Sequence, residues 1–284
     1  MLPIPRLAIG IGGVLLAYQA FKHLAEGLER LLAAAVAWER IQPFWRAASR
    51  PEPLGHPQYT ARGAANVAPH PEHAPEESFY GGPLLDVHNL VFRQAARPEP
   101  VLRGLGLRIY PRERVLLSGP SGSGKSSLGM VLAGLRAPHG GLCLLAGLDR
   151  ETLGAVGWRQ RVVIVPQFHE NHILTGTLTF NLLMGRGWPP RQRDLDEAEA
   201  VCRDLGLQAL LDRMPAGLQQ WVGETGWQLS HGERDRVYIA RALLQGAELM
   251  ILDESLAALD PHTLGQVLDG VLGRAPALLL IAHP

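Results

Sequence analysis

A glycine-rich octapeptide, GPSGSGKS at Gly119–Ser126, has the residue types and spacing of a phosphate-binding loop. It matches the pattern GxxxxGK[ST]. It follows the apolar run Val115–Leu117 and precedes a helix-compatible run at Ser127–Leu135, and these flanking runs argue against an ordinary glycine-rich turn. The glycines let backbone N–H groups point inward, and the helix N-terminus adds positive potential. Lys125 would reach the β- and γ-phosphates, and the hydroxyl of Ser126 would hold Mg²⁺. The candidate phosphate-binding residues are Gly119, Pro120, Ser121, Gly122, Ser123, Gly124, Lys125, Ser126 and Ser127.

Two adjacent carboxylates, Asp253 and Glu254, end a second apolar run, Leu249–Leu252. Ligands of open α/β sheets bind at the carboxyl ends of the strands, which is where these acids would lie. Asp253 would then belong to the Mg²⁺ shell, and Glu254 would act as general base on the attacking water. Taken alone, the pair could also start a helix as caps.

Four further segments occur along the chain in an order that is typical of one protein family. They are Gln167 after Val162–Val165, LSHGER at Leu229–Arg234, AALD at Ala257–Asp260, and His283 after Leu278–Ile281. With the phosphate loop and the acidic strand, residues 84–284 resemble the ATP-binding cassette (ABC) family, whose signature usually reads LSGGQ. A lone Gln or His after a strand is usually structural, so the shared order carries the resemblance. It implies an α/β fold of the P-loop NTPase type with a helical subdomain at about 168–240.

The resemblance also implies a head-to-tail dimer of two cassettes that closes over two ATP molecules. It implies that Ser230, Gly232 and Glu233 contact the nucleotide of the partner cassette. It gives catalytic roles to Glu254, His283 and Gln167. The Mg²⁺ ligands that it implies are Ser126, Gln167 and Asp253. A hydroxyl and helix-terminal N–H groups suit the γ-phosphate, because the transferring group spreads charge over its oxygens and needs preorganised donors. Hydrolysis removes the group that bridges the halves, so they would separate.

Three segments narrow the resemblance to ABC exporters. VGETG at Val222–Gly226 and LTGTLTFN at Leu174–Asn181 resemble segments on which the transmembrane coupling helices of exporters dock. Residues 7–48, with an uncharged run at Leu7–Tyr18, resemble the cytoplasmic half of an exporter's last transmembrane helix. Because about 20 residues are needed to span a bilayer, we expect a truncated span, with a signal peptide as the alternative. The sequence therefore predicts that the chain is the C-terminal part of a membrane exporter subunit. Its cassette would lie on the cytoplasmic face and contact a transmembrane domain.

The sequence departs from the family pattern at several positions. His231 and Glu233 replace a glycine and the glutamine of the signature, so we expect reduced capping of the phosphate. Gln94 stands where exporters stack an aromatic ring on adenine, which predicts a weak base preference. Family members usually continue beyond the switch histidine with further strands and a helix, so we expect an unfinished sheet edge near Pro284.

The elements that must position these residues divide the chain into three parts. Residues 1–48 carry a helical stripe that runs from Phe21 to Trp38 with spacings of three and four, and residues 49–83 form a proline-rich linker. In residues 84–284, short apolar runs alternate with helical stretches, as expected for buried parallel strands in a layered sheet.

Composition bounds the function of the chain. Its 27 Lys and Arg balance 27 Asp and Glu, and this absence of a basic excess excludes nucleic acid as the main partner. Cys143 and Cys202 have neither disulfide-framework nor zinc-site spacing. The leading prediction is an ATP hydrolase that powers export of an unknown substrate. The alternatives are a soluble ABC ATPase and a nucleotide-binding regulatory module without turnover.

Overall fold

A computed structural model describes residues 82–94, 99–167 and 173–283, together with positions 16, 18–24, 26–27, 30 and 31 near the N-terminus. The chain divides into one unit at Met1–Glu52 and a second at Pro53–Pro284. In the first unit the described positions are helical, and the apolar side chains Phe21 and Leu24 of the predicted stripe are exposed. Trp38 and almost all of the predicted linker lie outside the described residues.

None of the helices within these described ranges is long and apolar enough to cross a membrane.

The second unit alternates strands with helices. The strands are β1 Leu85–Arg93, β2 Pro100–Ile109, β3 Arg114–Ser118, β4 Gly140–Leu145, β5 Leu148–Asp149, β6 Val162–Val165, β7 Gly176–Thr177, β8 Trp221–Val222, β9 Leu249–Asp253 and β10 Leu278–Ala282. The helices are α1 Lys125–Leu132, α2 Arg150–Arg161, α3 Leu178–Leu183, α4 Gln192–Asp204, α5 Gln208–Arg213, α6 His231–Gln245 and α7 Pro261–Arg274, with a 3₁₀ turn at Gly217–Gln219.

All four apolar runs that the sequence predicts as strands form one parallel sheet in the order β3-β10-β9-β6. In the register, Ile281 of β10 lies opposite Leu117 of β3 on one side and Asp253 of β9 on the other. Every residue of β9 is buried, as expected for a central strand with both faces covered. Because the strands run the same way, their carboxyl ends share one edge.

An antiparallel sheet in the order β2-β1-β4-β5 packs with α1 and α2 on a second set of buried apolar residues. Leu85 and Ile109 of this sheet are fully buried together with Leu132 at the end of α1. Trp158 of α2 closes the cluster and donates from Nε1 to the carbonyl of Leu132 at 2.8 Å.

Helices α3 to α6 form a helical region whose apolar cluster also includes residues of β6, β9 and α7. Partly buried polar contacts also stabilise it. The guanidinium of Arg186 binds Asp194 at 3.0 Å and Glu197 at 2.7 Å, and Arg241 donates to the carbonyl of Asn181 at 2.6 Å. The boundaries of a helical subdomain at about 168–240 remain a prediction.

The helix after the phosphate loop is Lys125–Leu132 rather than the predicted Ser127–Leu135. It begins earlier because Gly124, in the left-handed region at φ +96°, is its N-cap. Just beyond its end, Gly134 adopts φ +71°, and a Cβ there would lie 2.8 Å from the indole of Trp158. That close approach favours glycine and a chain reversal.

Strand β3 lies at one edge of the parallel sheet. Among the described residues no strand pairs with its outer side, and the side chain of Leu116 is exposed there.

Candidate active site

The carboxyl edge of the parallel sheet brings the predicted site residues together. Strand β3 leads into the phosphate loop, β6 is followed by Gln167, β9 ends in Asp253 and is followed by Glu254, and β10 is followed by His283. Since the spatial order is β3-β10-β9-β6, segments far apart in sequence become neighbours at one edge. This is the part of an α/β sheet where ligands bind.

The phosphate loop connects β3 to α1 in a conformation that needs glycine. Gly122 and Gly124 have φ values of +77° and +96°, and a Cβ on Gly124 would lie 2.7 Å from Cγ1 of Val101. The ammonium of Lys125 donates to the carbonyls of Gly119 at 2.8 Å and Pro120 at 3.0 Å. The lysine is only 8% exposed. Its charge is therefore held within the loop, where it suits an anionic phosphate.

Glu254 lies between the side chains of Gln167 and His283. Its Oε2 accepts from Nε2 of Gln167 at 2.6 Å, and its Oε1 pairs with Nε2 of His283 at 2.7 Å. The carboxylate is 10% exposed, so these two contacts fix its orientation in a confined place. A positioned carboxylate with an imidazole in hydrogen-bond reach is suited to general base catalysis.

The backbone at Glu254 is unusual. Its φ of +52° is left-handed, a conformation that costs a non-glycine residue about 1–3 kcal/mol and often occurs at functional sites. Its amide donates to the carbonyl of Ile281 at 3.0 Å. The hydroxyl of buried Ser255 donates to the carbonyl of Val165 at 2.8 Å, which joins this turn to β6. Nothing in the sequence alone indicates the role of Ser255.

The donor set near the loop fits Mg²⁺. Ser126 lies in the first turn of α1 and offers a hydroxyl, and Asp253 offers a carboxylate that is 2% exposed. With its Nε2 used by Glu254, Gln167 presents its amide oxygen as the remaining acceptor. These are hard oxygen ligands, and few of them suffice because Mg²⁺ keeps several waters and binds substrate phosphates. The described residues contain no cluster of three or more His, Cys, Asp or Glu that could hold a metal.

The predicted signature forms the N-terminus of α6. Ser230 is its N-cap, and its hydroxyl accepts from the N–H of Glu233 at 3.3 Å. In return, Oε2 of Glu233 accepts from the N–H of Ser230 at 2.8 Å. The exposed His231 and the half-buried Gly232 occupy the first two helical positions. The structure therefore places Glu233 in a capping box, a pattern that S-x-x-E in the sequence indicates.

The second carboxylate oxygen of Glu233 forms an ion pair with Arg213, the last residue of α5. Burial alone would raise the pKa of Glu233. The hydrogen bonds from Ser230 and the charge of Arg213 outweigh burial and hold that pKa below its ordinary value. Sequence reasoning missed Arg213, which lies 20 residues from its partner in a segment with no motif.

Gln94 directly follows β1 and is exposed. The preceding amide, that of Arg93, donates to Nδ1 of His139, and the ring of His139 meets Phe92 edge to face at 5.6 Å. These contacts fix the end of β1 at the position where the sequence predicts the adenine base.

The two exporter-like segments meet as a small antiparallel pair, β7 with β8. Gly176 lies opposite Val222 and Thr177 opposite Trp221. Large apolar side chains of this region are exposed to solvent. They are Leu174, Phe180, Met184, Trp188 and Trp221. Such a concentration of exposed apolar residues is typical of an interaction surface.

Comparisons with known proteins agree with this geometry. Residues 102–257 match the family described as "ABC transporter". The ABC multidrug transporter mdr4 of Aspergillus fumigatus is 35% identical over 232 residues, which are 79% of this chain and 17% of the relative. The mycobactin import ATP-binding/permease protein IrtB of Mycolicibacterium thermoresistibile is 38% identical over 65% of this chain and 31% of the relative.

A solved bacterial Atm1-family ABC exporter with ATP bound is also similar, with a TM-score of 0.63 and 30% sequence identity. The match covers 72% of this chain and 35% of that one, so the chain spans about a third or less of these proteins. The matched family confirms the predicted P-loop NTPase fold and an ATP-binding ATPase domain. The chain therefore belongs to the ABC transporter family, and it is similar to the cassette portion of exporter subunits.

Proposed function

We propose that this chain hydrolyses ATP as one cassette of a head-to-tail pair and thereby powers export of a substrate across a membrane. The observation that carries the proposal is the placement of Glu254, whose two carboxylate oxygens contact Gln167 and His283 at the carboxyl edge of the sheet. A nucleotide-binding fold without turnover would need no such oriented base beside its phosphate loop.

In the proposed reaction the protein positions groups and moves one proton. The backbone N–H groups of the phosphate loop and the ammonium of Lys125 bind the β- and γ-phosphates. Glu254 accepts a proton from the attacking water, while His283 keeps the carboxylate in line. Bound Mg²⁺, held by Ser126 and Asp253 with Gln167, would supply charge neutralisation at the phosphate oxygens.

The second cassette completes the site through its signature. The hydroxyl oxygen of Ser230 accepts a hydrogen bond from the N–H of Glu233. The hydroxyl hydrogen of Ser230 can therefore be donated to the γ-phosphate bound by the partner cassette. The N–H of Gly232, in the first turn of α6, points the same way as the positive end of the helix dipole. Removal of the γ-phosphate eliminates the group that joins the halves, so the pair opens.

The exposed apolar residues around β7 and β8 support a membrane partner. Leu174, Phe180 and Trp221 would pack against the transmembrane domain, and the cassette would lie on the cytoplasmic face. Residues 1–48 would supply the end of that domain's last helix, and residues 49–83 the linker. The direction of transport is part of the proposal, because one relative is named for import.

The test is steady-state Mg-ATP turnover by the chain beside Glu254→Gln. General base catalysis contributes about 10²–10⁴-fold, so the variant should lose at least about 100-fold in kcat. Glu151→Gln, which removes one carboxylate from an exposed position at the start of α2, is the matched control and should retain the parent rate. Equal turnover of Glu254→Gln and its parent would contradict the proposal, and absence of turnover in the parent would favour the regulatory alternative.

A further inference from the structure

The N-terminus of α6 carries a negative charge at the place that the proposed function needs for receiving a phosphate. Glu233 occupies the third position of the helix, and its carboxylate is bound to the N–H of the N-cap Ser230. A carboxylate there stabilises the helix itself, because it complements the positive end of the dipole. The same charge repels an incoming anion and reduces the positive potential at the helix terminus.

One cation is placed to cancel that charge. Arg213 ends α5, and its Nε donates to the carbonyl of Ala209 one turn back at 3.2 Å. This bond orients the guanidinium so that a terminal nitrogen meets Oε1 of Glu233. Both oxygens of Glu233 are thus used, one by the cap and the other by Arg213.

The exposure of the pair argues that it does more than stabilise the fold. The side chain of Arg213 is 58% exposed and that of Glu233 is 11% exposed. Ion pairs with one partner so open to water contribute little to folding stability. The pair can matter more for ligand binding than for folding, because the electrostatic potential at the N-terminus of α6 acts on a highly charged phosphate that binds at the same place.

We propose that Arg213 is a positioning residue of the signature. It neutralises Glu233 and holds it in the capping box, so that Ser230 and the N–H groups of α6 can donate hydrogen bonds to the γ-phosphate of the ATP bound by the partner cassette. This inference rests on the proposed head-to-tail function and names the residue that lets a glutamate replace the usual signature glutamine.

The experiment uses the full chain with Glu254→Gln, so that bound ATP persists. Light scattering measures dimer formation against the concentration of Mg-ATP, and a fluorescent ATP analogue measures nucleotide binding to the dilute monomer. Charges near a helix terminus typically change binding by about threefold, and a closed dimer contains two signatures, so Arg213→Gln should lower the equilibrium constant for dimerisation at a given Mg-ATP concentration by about tenfold. Binding to the monomer should not change, because it depends on the phosphate loop.

Adding Glu233→Gln to Arg213→Gln should restore dimerisation to the parent level, since no charge is left to neutralise. Arg213→Lys keeps the positive charge but lacks the Nε–H that binds Ala209, so it should weaken dimerisation less than Arg213→Gln does. It keeps the test informative if Arg213→Gln unfolds. Arg203→Gln is the matched control, because it removes an arginine from an exposed pair with Glu199 on α4 at 3.5 Å.

The outcomes separate this inference from the proposed function. If the Glu254→Gln chain forms no dimer at any ATP concentration, the head-to-tail proposal fails and the inference with it. If that chain dimerises and Arg213→Gln behaves like its parent, the inference alone is wrong. A defect that Glu233→Gln does not rescue, or one that appears equally in monomer binding, would also overturn it, because Arg213 would then act through the fold.

Discussion

Replacing His283 by alanine tests how far the orientation of Glu254 limits the reaction. The imidazole Nε2 lies 2.7 Å from Oε1 of Glu254; the Glu254 side chain is 10% exposed but that of His283 is 43% exposed, so water can partly replace the imidazole. Hydrogen bonds to charged groups contribute about 1.5–3 kcal/mol, which corresponds to about 10–150-fold in rate. Because Gln167 still holds the other oxygen at 2.6 Å, we expect a loss in kcat toward the lower end of that range.

The effect should appear in kcat more than in KM. Lys125 and the phosphate loop are unchanged by His283→Ala, so KM for ATP should stay within about threefold of the parent. Initial rates over a range of ATP concentrations at saturating Mg²⁺ give both constants. The control is His262→Ala, which removes an exposed imidazole from the first turn of α7.

Two results would refute this reasoning. A His283→Ala variant with kcat within twofold of the parent would show that Gln167 alone orients Glu254. A large loss in kcat accompanied by an equal loss from His262→Ala would show that imidazoles in this part of the chain matter for a reason unrelated to the base. Circular dichroism at the assay temperature verifies that both variants are folded.

Three further variants test separate parts of the structure. Lys125→Arg should lose turnover by at least about 100-fold, because a planar guanidinium does not fit between two loop carbonyls, and filter binding of ATP should show the defect; retained activity would contradict the fit. Gln94→Tyr should tighten ATP binding by about 1–3 kcal/mol of stacking and sharpen ATP over GTP in competition titrations, whereas a parent already selective for ATP would count against the assignment. Burial alone would raise the pKa of Asp194, but the backbone N–H of Arg191 and the charge of Arg186 hold it below its ordinary value. The ionised form therefore contributes stability that is fully present above the pKa of the unfolded chain and is lost as pH falls through the lower folded-state pKa, so Asp194→Asn should lower the free energy of unfolding by about 1–2 kcal/mol at pH 7 and by less at pH 3 in urea titrations.

The sequence predicts the strands of the parallel sheet well because each contains a short apolar run, from the wholly buried β9 to the more exposed edge strand β3. Each of the four predicted runs is a strand of the parallel sheet, and each is followed by a residue with catalytic chemistry. What periodicity cannot provide is the lateral order of parallel strands. That order is known from the structure, and it brings Gln167 and His283 to opposite oxygens of Glu254.

The antiparallel sheet was not predicted, because its strands mix buried and exposed positions irregularly. Strand β1 has register shifts between Val87 and Leu90 and again near Phe92, so its side chains do not alternate cleanly. The start of α1 was misplaced for a different reason. Its N-cap is Gly124, and its first residue Lys125 is also the predicted phosphate ligand, so one residue belongs to both the loop and the helix.

The structure shows contacts of the altered signature within the chain, and the expected weaker capping of the phosphate stays a prediction. His231 and Glu233 predict weaker phosphate capping because a glycine and an amide are lost. In the structure Glu233 completes a capping box, and the cap contributes about 0.5–2 kcal/mol to its own helix. The carboxylate accepts from the Ser230 amide with a full negative charge, so it makes a stronger cap than glutamine would. Glu233 therefore stabilises α6 but lowers the positive electrostatic potential that would bind a phosphate at the N-terminus of this helix. In our proposal the ion pair with Arg213 neutralises Glu233, so that the stable cap and phosphate binding are compatible.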